Sequence, residues 1–259
     1  MIKRYFVGKA GISAVNLTIV MDVFHQLAAR SPLGYVCLTD AAGICRAEQD
    51  DAFGGLLNAS FLTLTDSSSL AWIGRRRGYR HCGAVTGAGL MHSIFLTSAM
   101  QGYTHFFCGP DGRQLRQLKD YVKNSYMGIR LAGAEIIDPE KPEEEADRLS
   151  EQLNTLKPPF FWCGLPSPQQ EQFVAALQPK LTHTSCIAVG DAFETLAAAG
   201  LVLPDPGKRT LPGKSRFQAI RMTRRFRSSS LPVLLWLLRE LASAQFLGKK
   251  SRRRRRGSA

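Results

Sequence analysis

The sequence predicts an α/β domain with a mostly parallel, doubly wound sheet, followed by a basic and apolar helical appendage. Short apolar runs alternate with amphipathic stretches of about a dozen residues, and most of the runs end at a glycine or at a polar residue. Strands joined by helical crossovers pair in parallel and carry helices on both faces of the sheet. The alternation stops near residue 200, where positive charge takes over, and this change marks the appendage.

The first half of the chain supplies strands and helices in alternation. Helices are assigned where apolar residues recur at helical spacing, as Ile19, Val20 and Val23 do, and strands where a short apolar run lies between breakers. The predicted elements are apolar pieces at 4–8 and 12–15, a helix at 18–29, a strand at 35–38, a helix at 41–57, a strand at 61–65, a serine-capped helix after 67, a strand at 84–86 and a helix at 90–101.

The second half repeats a unit of strand, glycine turn and helix. The strand at 160–163 is the clearest, because Phe160, Phe161 and Trp162 form a fully apolar run between Pro159 and Gly164. The predicted elements are strands at 104–108, 130–137, 160–163 and 185–189, with helices after 112, at 139–156, after 168 and up to 199. The repeated crossovers indicate a Rossmann-like sheet.

The distribution of charge divides the chain into three predicted parts. Residues 1–200 form the α/β domain, residues 201–214 a linker rich in proline and glycine, and residues 215–259 a basic, membrane-associating appendage. Residues 207–259 hold 16 lysines and arginines and one acid, a local net charge of +15 in a chain of +13. This basicity favours an anionic lipid surface over nucleic acid, since no aromatic residues interleave with the arginine run to stack on bases.

Other features of the composition limit the class of protein. The six cysteines show no paired spacing, which is typical of buried thiols in a reducing compartment. We find no signal-peptide pattern at the N-terminus and no apolar window long enough to span a bilayer. Histidines and cysteines are not spaced as metal ligands, so we predict no metal and no cofactor. These features predict a cytoplasmic protein.

Polar residues at the ends of the predicted strands are the candidates for chemistry. Asp66 follows the strand at 61–65, where a carboxylate can act as a general base toward a hydroxyl group. The same position, before a serine-rich turn, suits a helix N-cap, and the pattern alone favours that capping role. The stiff loop after Gly164 precedes a helix, whose N-terminal N–H groups can bind an anion. The alternative is that this loop only connects the strand to the helix.

The loop GLPSPQQEQF at 164–173 resembles the signature GlGxPkQEkw of the WecB/TagA/CpsF family of bacterial glycosyltransferases, which are N-acetylmannosaminyltransferase-like enzymes. Further passages resemble the family in order from about residue 5 to residue 200: the region 35–76 around Asp66, VTGAGLM at 85–91, THFFCGPDG at 104–112 and AVGDAFETLAAAG at 188–200. In this resemblance Asp66 falls on the catalytic base and Asp40 on a family asparagine.

The resemblance implies a set of residues that bind the donor or the acceptor: Thr39, Asp40, Gly87, Gly109, Gly164, Gln170, Glu171 and Gly190. Several positions depart from the family pattern, among them Pro166 for a glycine, Leu38 for a threonine, Ser67 for a glycine, Ala84 for an arginine and Gly89 for an aspartate. The departures at Ala84 and Gly89 remove a cation and an anion that, by the resemblance, would face the donor or acceptor diphosphate.

The resemblance implies an inverting transferase that moves a sugar, N-acetylmannosamine-like or a related hexose, from a UDP-sugar to a polyprenyl-diphosphate-linked acceptor in cell-surface polysaccharide synthesis. The departures favour an alternative, a catalytically impaired member that acts as a membrane-bound subunit of a polysaccharide assembly complex. In both cases the protein would lie at the inner face of the cell membrane and could form a homo-oligomer. The residues predicted to contact the membrane are Trp236, Lys249, Lys250, Arg252, Arg253, Arg254, Arg255 and Arg256.

Overall fold

The computed structural model describes residues 2–27 and 34–201. The predicted linker at 201–214, apart from its first residue, and the predicted appendage at 215–259 lie outside the described residues. The strands are β1 Arg4–Val7, β2 Ala10–Ser13, β3 Tyr35–Thr39, β4 Leu62–Thr65, β5 Thr104–Gly109, β6 Arg130–Ile136, β7 Phe160–Cys163 and β8 Ser185–Ala188. The helices are α1 Leu17–Leu27, α2 Ala41–Gln49, α3 Asp51–Ala59, α4 Ser68–Arg76, α5 Gly87–Gln101, α6 Gly112–Ser125, α7 Pro142–Leu156, α8 Gln169–Leu177 and α9 Ala192–Leu201.

Six strands form one parallel sheet in the order β4-β3-β8-β7-β5-β6. Successive residues of a strand point to opposite faces, so Phe106 and Phe107 of β5 enter two separate apolar clusters. One cluster receives residues from α2, α3, α4, α7 and α8, and the other from α1, α5, α6 and α9. Helices therefore cover both faces, and the predicted Rossmann-like, doubly wound fold is confirmed.

A hairpin of β1 and β2 covers the β4 edge of the sheet. The Thr63 N–H of β4 donates to the Ser13 hydroxyl of β2 at 3.1 Å. The Arg4 guanidinium of β1 donates to the carbonyls of Leu57 at 3.1 Å and Asn58 at 3.0 Å, near the C-terminus of α3. The cation thus binds carbonyl groups that have no partner within the helix.

Two predicted elements in the first half are wrong. The helix predicted at 41–57 is two helices, because the Asp50 carboxylate accepts the Phe53 N–H at 3.0 Å and caps a new helix. The segment 84–86 is not a strand, although the Val85 N–H donates to the Thr65 carbonyl at 2.8 Å. The helix predicted from residue 90 begins at Gly87, because the Thr86 hydroxyl accepts the Gly89 N–H at 3.1 Å.

Two further observations concern the predictions of unpaired cysteines and of no bilayer-spanning segment. All six cysteines are free, and five of them are buried, as predicted. Within residues 2–27 and 34–201, none of the helices has the length and apolar character that a bilayer crossing requires.

A buried hydrogen-bonded chain links three elements beneath one face of the sheet. The Trp162 indole N–H donates to His105 Nδ1 at 3.1 Å, so His105 carries its hydrogen on Nε2 and donates to the Ser98 hydroxyl at 2.8 Å. Ser98 then donates to the Ile94 carbonyl at 2.6 Å. Each polar group in the chain has a partner, which burial in an apolar cluster requires.

His105 is expected to make the protein less stable in acid. Burial lowers the pKa of His105 from 6.5 to about 3, so between these pH values the unfolded chain binds a proton that the native chain does not. The free energy of unfolding should therefore fall as the pH drops through this window, by roughly 3 kcal/mol from this residue at pH 4. Urea denaturation at several pH values gives the slope of the free energy of unfolding against pH for the wild type and for His105→Gln. His183→Gln, at an exposed histidine, is the matched control. Equal slopes for the wild type and His105→Gln would show that His105 is not the cause of the loss of stability in acid.

Candidate active site

The residues predicted from the strand ends meet at one edge of the sheet, because all six strands are parallel. Strand order places Asp66 after β4, Asp40 after β3, Gly190 after β8 and Gly164 after β7, in that sequence along the edge. Gly109 ends β5, four strand spacings from β4, or roughly 19 Å. Asp66 and Asp40 are thus neighbours, while Gly109 lies at the far end of the row.

Asp66 is an exposed residue directly after β4. Thr39 and Thr65 are register partners, so Asp40 and Asp66 follow paired residues on adjacent strands. Asp40 caps α2, accepting the Gly43 N–H at 2.8 Å. The cap of α4 is Ser67, whose hydroxyl accepts the Leu70 N–H at 3.5 Å, so the alternative that Asp66 caps this helix is wrong.

Thr39 lies just below this edge and is buried. A Cβ atom on Gly43 would come within 2.2 Å of the Thr39 Oγ1 atom, so the first turn of α2 needs a glycine to lie over this hydroxyl. Thr39 therefore packs directly against the first turn of α2, and its predicted part in ligand binding stays a prediction.

The N-terminus of α5 also lies at this edge. The Val85 N–H donates to the Thr65 carbonyl, which places the start of α5 beside the end of β4. A Cβ atom on Gly87 would lie 2.8 Å from the Val189 carbonyl oxygen and 2.9 Å from the Ala192 Cβ atom, so only glycine allows this close approach to the turn after β8. The positive end of a 15-residue helix therefore lies between Asp66 and Gly190.

Two passages that suggested the family are in contact in the fold. Gly164 follows β7, and its N–H donates to the Cys108 carbonyl at 2.9 Å. A Cβ atom on Gly164 would lie 2.4 Å from the Phe193 ring, which is fully buried at the start of α9. The absence of a side chain at Gly164 thus lets the turns after β7 and β8 pack together.

Gln170 and Glu171 lie inside the protein at the start of α8. Gln170 is 4% exposed and Glu171 is 1% exposed. The Gln170 amide donates to Glu171 Oε1 at 2.9 Å and accepts the N–H of Gly190 at 2.8 Å. Gly190 has φ +59°, a left-handed conformation that suits glycine. The pair thereby fixes the turn after β8, and its predicted contact with a ligand stays a prediction.

The buried Glu171 carboxyl is partly protonated near neutral pH. Burial raises the pKa of Glu171 to about 7, while the hydrogen bond from the Gln170 side chain favours the charged form and limits the rise. Loss of a buried charge on protonation would weaken the bond that orients the Gln170 amide.

The sequence reasoning missed Thr65 and Thr86. Thr65 is 4% exposed, and its hydroxyl accepts the Ser67 N–H at 3.2 Å, which shapes the turn that carries Asp66. Thr86 caps α5. A threonine directly before a glycine-rich helix start is a capping signal that the sequence does contain. Among the described residues, no group of three or more His, Cys, Asp or Glu side chains could hold a metal ion.

Comparison with known protein families gives a match over most of the chain. A model of the Glycosyl transferase WecG/TagA/CpsF family matches residues 6–204, which is most of the chain. No curated protein matches it.

Proposed function

Because the chain belongs to the WecG/TagA/CpsF glycosyltransferase family, we propose that it transfers a hexose, N-acetylmannosamine-like or related, from a UDP-sugar to a sugar linked to polyprenyl diphosphate. The observation that carries this proposal is the exposed Asp66, which follows β4 beside the N-terminus of α5. A carboxylate and the positive end of a helix on one edge provide a base and an anion site for one transfer reaction.

In the proposed reaction, Asp66 takes the proton from the acceptor hydroxyl as its oxygen attacks the anomeric carbon of the donor. The bond from that carbon to the diphosphate breaks, UDP leaves with the bonding electrons, and the configuration inverts. The N–H groups in the first turn of α5, which have no acceptor within the helix, would stabilise the charge of the leaving group.

The membrane part of the proposal rests on the sequence after residue 200. An apolar stretch at 231–247 that includes Trp236, followed by Lys249, Lys250 and Arg252–Arg256, supplies hydrophobic insertion and a polybasic segment. Stable peripheral binding requires two such signals. A lipid-linked acceptor would be reached from the same surface, at the inner face of the cell membrane.

Transfer of a radiolabelled sugar from UDP-sugars to a lipid-diphosphate-linked acceptor tests the function. We expect a labelled lipid product that grows with time. Folded protein that shows no turnover with any UDP-sugar would favour the alternative, an impaired member in an assembly complex, which the exposed Ala84 in place of a family arginine supports.

Gln170→Ala is expected to raise KM for the UDP-sugar by about 5- to 10-fold, because the Gly190 N–H loses its acceptor and the turn after β8 is no longer fixed. Gln169→Ala is the matched control, since Gln169 is the adjacent residue of α8 but is only half-buried. Steady-state kinetics of both variants make the comparison. Equal changes in KM would show that this hydrogen bond does not serve donor binding.

A further inference from the structure

An exposed basic surface at the C-terminus of α4 takes no part in the proposed chemistry. We call it the α4 patch; it consists of Arg75, Arg76, Arg80 and His81, all exposed. Residues 67–110 contain no aspartate or glutamate, so no acid in this stretch of chain offsets the positive charge of the patch. Arg75, Arg76 and Arg80 form no ion pair with other described residues. Cations without acidic partners are typical of a surface that meets an anionic partner.

The turn that carries the patch is firmly attached to the domain. Arg75 Nη1 donates to the Cys82 carbonyl at 2.7 Å, which closes the turn. The Tyr79 hydroxyl donates to the Arg4 carbonyl at 3.2 Å, and its ring lies 5.8 Å from the Tyr5 ring. The backbone that carries the patch is therefore held in place, and binding there costs little loop ordering.

Trp72 and Arg76 distinguish a lipid surface from nucleic acid. The Arg76 guanidinium lies over the half-buried Trp72 ring, 4.8 Å from its centroid. Tryptophan beside cations is typical of proteins at a membrane interface, where the ring lies at the level of the headgroups. The ring face that a nucleic-acid base would stack on is already covered by Arg76, and stacking is what single-stranded binding sites need.

The α4 helix connects this surface to Asp66. It begins at Ser68, two residues after Asp66, and its nine residues span about 13 Å. A membrane bound at the α4 patch would therefore lie one short helix away from the proposed base. This relation rests on the proposed function, whereas lipid binding by the patch does not.

We infer that the α4 patch is a second membrane-contact surface, which binds anionic lipid headgroups independently of the basic tail and holds the Asp66 end of the domain toward the bilayer. Each arginine near an anionic leaflet strengthens binding about fivefold, and less as the salt concentration rises. Loss of three arginines should weaken binding by tenfold or more.

The test uses the full chain with Lys249, Lys250 and Arg252–Arg256 replaced by Gln, which removes the charge of the tail. Its sedimentation is measured with phosphatidylcholine vesicles, with and without phosphatidylglycerol, at low and high salt. In this background the patch variant carries Arg75→Gln, Arg76→Gln and Arg80→Gln. The matched control carries Arg116→Gln, Lys123→Gln and Arg130→Gln, which removes the same charge from exposed positions on α6 and β6.

We expect the tail-neutral chain to bind anionic vesicles in a salt-dependent way, the patch variant to bind at least tenfold more weakly, and the control to change less than about threefold. Equal losses in the two triple variants, or no binding by the tail-neutral chain, would overturn the inference. Loss of binding to a single-stranded oligonucleotide with vesicle binding intact would assign the patch to nucleic acid instead. Circular dichroism checks that each variant is folded.

Sugar transfer separates this inference from the proposed function. With a short-chain, water-soluble acceptor, the patch variant should keep its transfer rate, because no membrane is needed. If no transfer occurs in any form of the protein, vesicle binding still decides whether the patch contacts lipid.

Discussion

Asp66→Asn should lower the rate of sugar transfer by about 10²- to 10⁴-fold. The amide has nearly the shape of the carboxylate but cannot accept the proton of the acceptor hydroxyl. Because Asp66 is exposed and Ser67, rather than Asp66, caps α4, the substitution opens no cavity and removes no helix cap. We expect kcat to fall while KM for the UDP-sugar changes little, since the base acts mainly in the transition state.

The experiment measures kcat and KM for the wild type and Asp66→Asn, with urea denaturation as a check on the fold. The free energy of unfolding should stay within about 0.5 kcal/mol of the wild type, as for other surface substitutions. Wild-type kcat in this variant would remove Asp66 from the mechanism. A fall in kcat with a large loss of stability would assign the effect to folding.

Gly164→Ala should destabilise the protein by about 1–3 kcal/mol or more and impair transfer. The added methyl group would lie 2.4 Å from a ring carbon of Phe193 and 2.9 Å from another, and this ring is enclosed by the core. Either the ring or the loop after β7 must move. Both belong to the edge where Gly190 and Asp66 lie, so the displacement reaches the proposed site.

Gly55→Ala is the matched control for this glycine. Gly55 lies within α3, and a Cβ atom there would meet nothing within 4 Å. Alanine favours the helix, so the control should stabilise the protein by about 0.5–1 kcal/mol. Thermal or urea unfolding of both variants tests the contrast. A Gly164→Ala protein as stable as the wild type would show that the turns after β7 and β8 have room to separate.

The fold class and the position of the site followed from local patterns. The period of apolar residues distinguishes strands from helices, and helical crossovers between strands make a parallel sheet. A parallel sheet brings all carboxyl ends to one edge, so Asp40, Asp66, Gly109, Gly164 and Gly190 had to share it. The order of strands along that edge was not predictable, because periodicity does not say which strands are neighbours.

Other features were decided by the tertiary structure alone. Asp and Ser are both good N-caps, so only the hydrogen bond from the Leu70 N–H identifies Ser67 as the cap of α4 and leaves Asp66 as the exposed carboxylate. The contact of Gly164 with Phe193 and the bond from Gly190 to Gln170 join residues 29 and 20 positions apart in the chain. Local propensity acts over a few residues, whereas close packing between distant turns depends on how β7 and β8 pair. The sequence by itself therefore determined the elements and their common edge. The packed sheet decided which side chains at that edge face solvent and which are held inside.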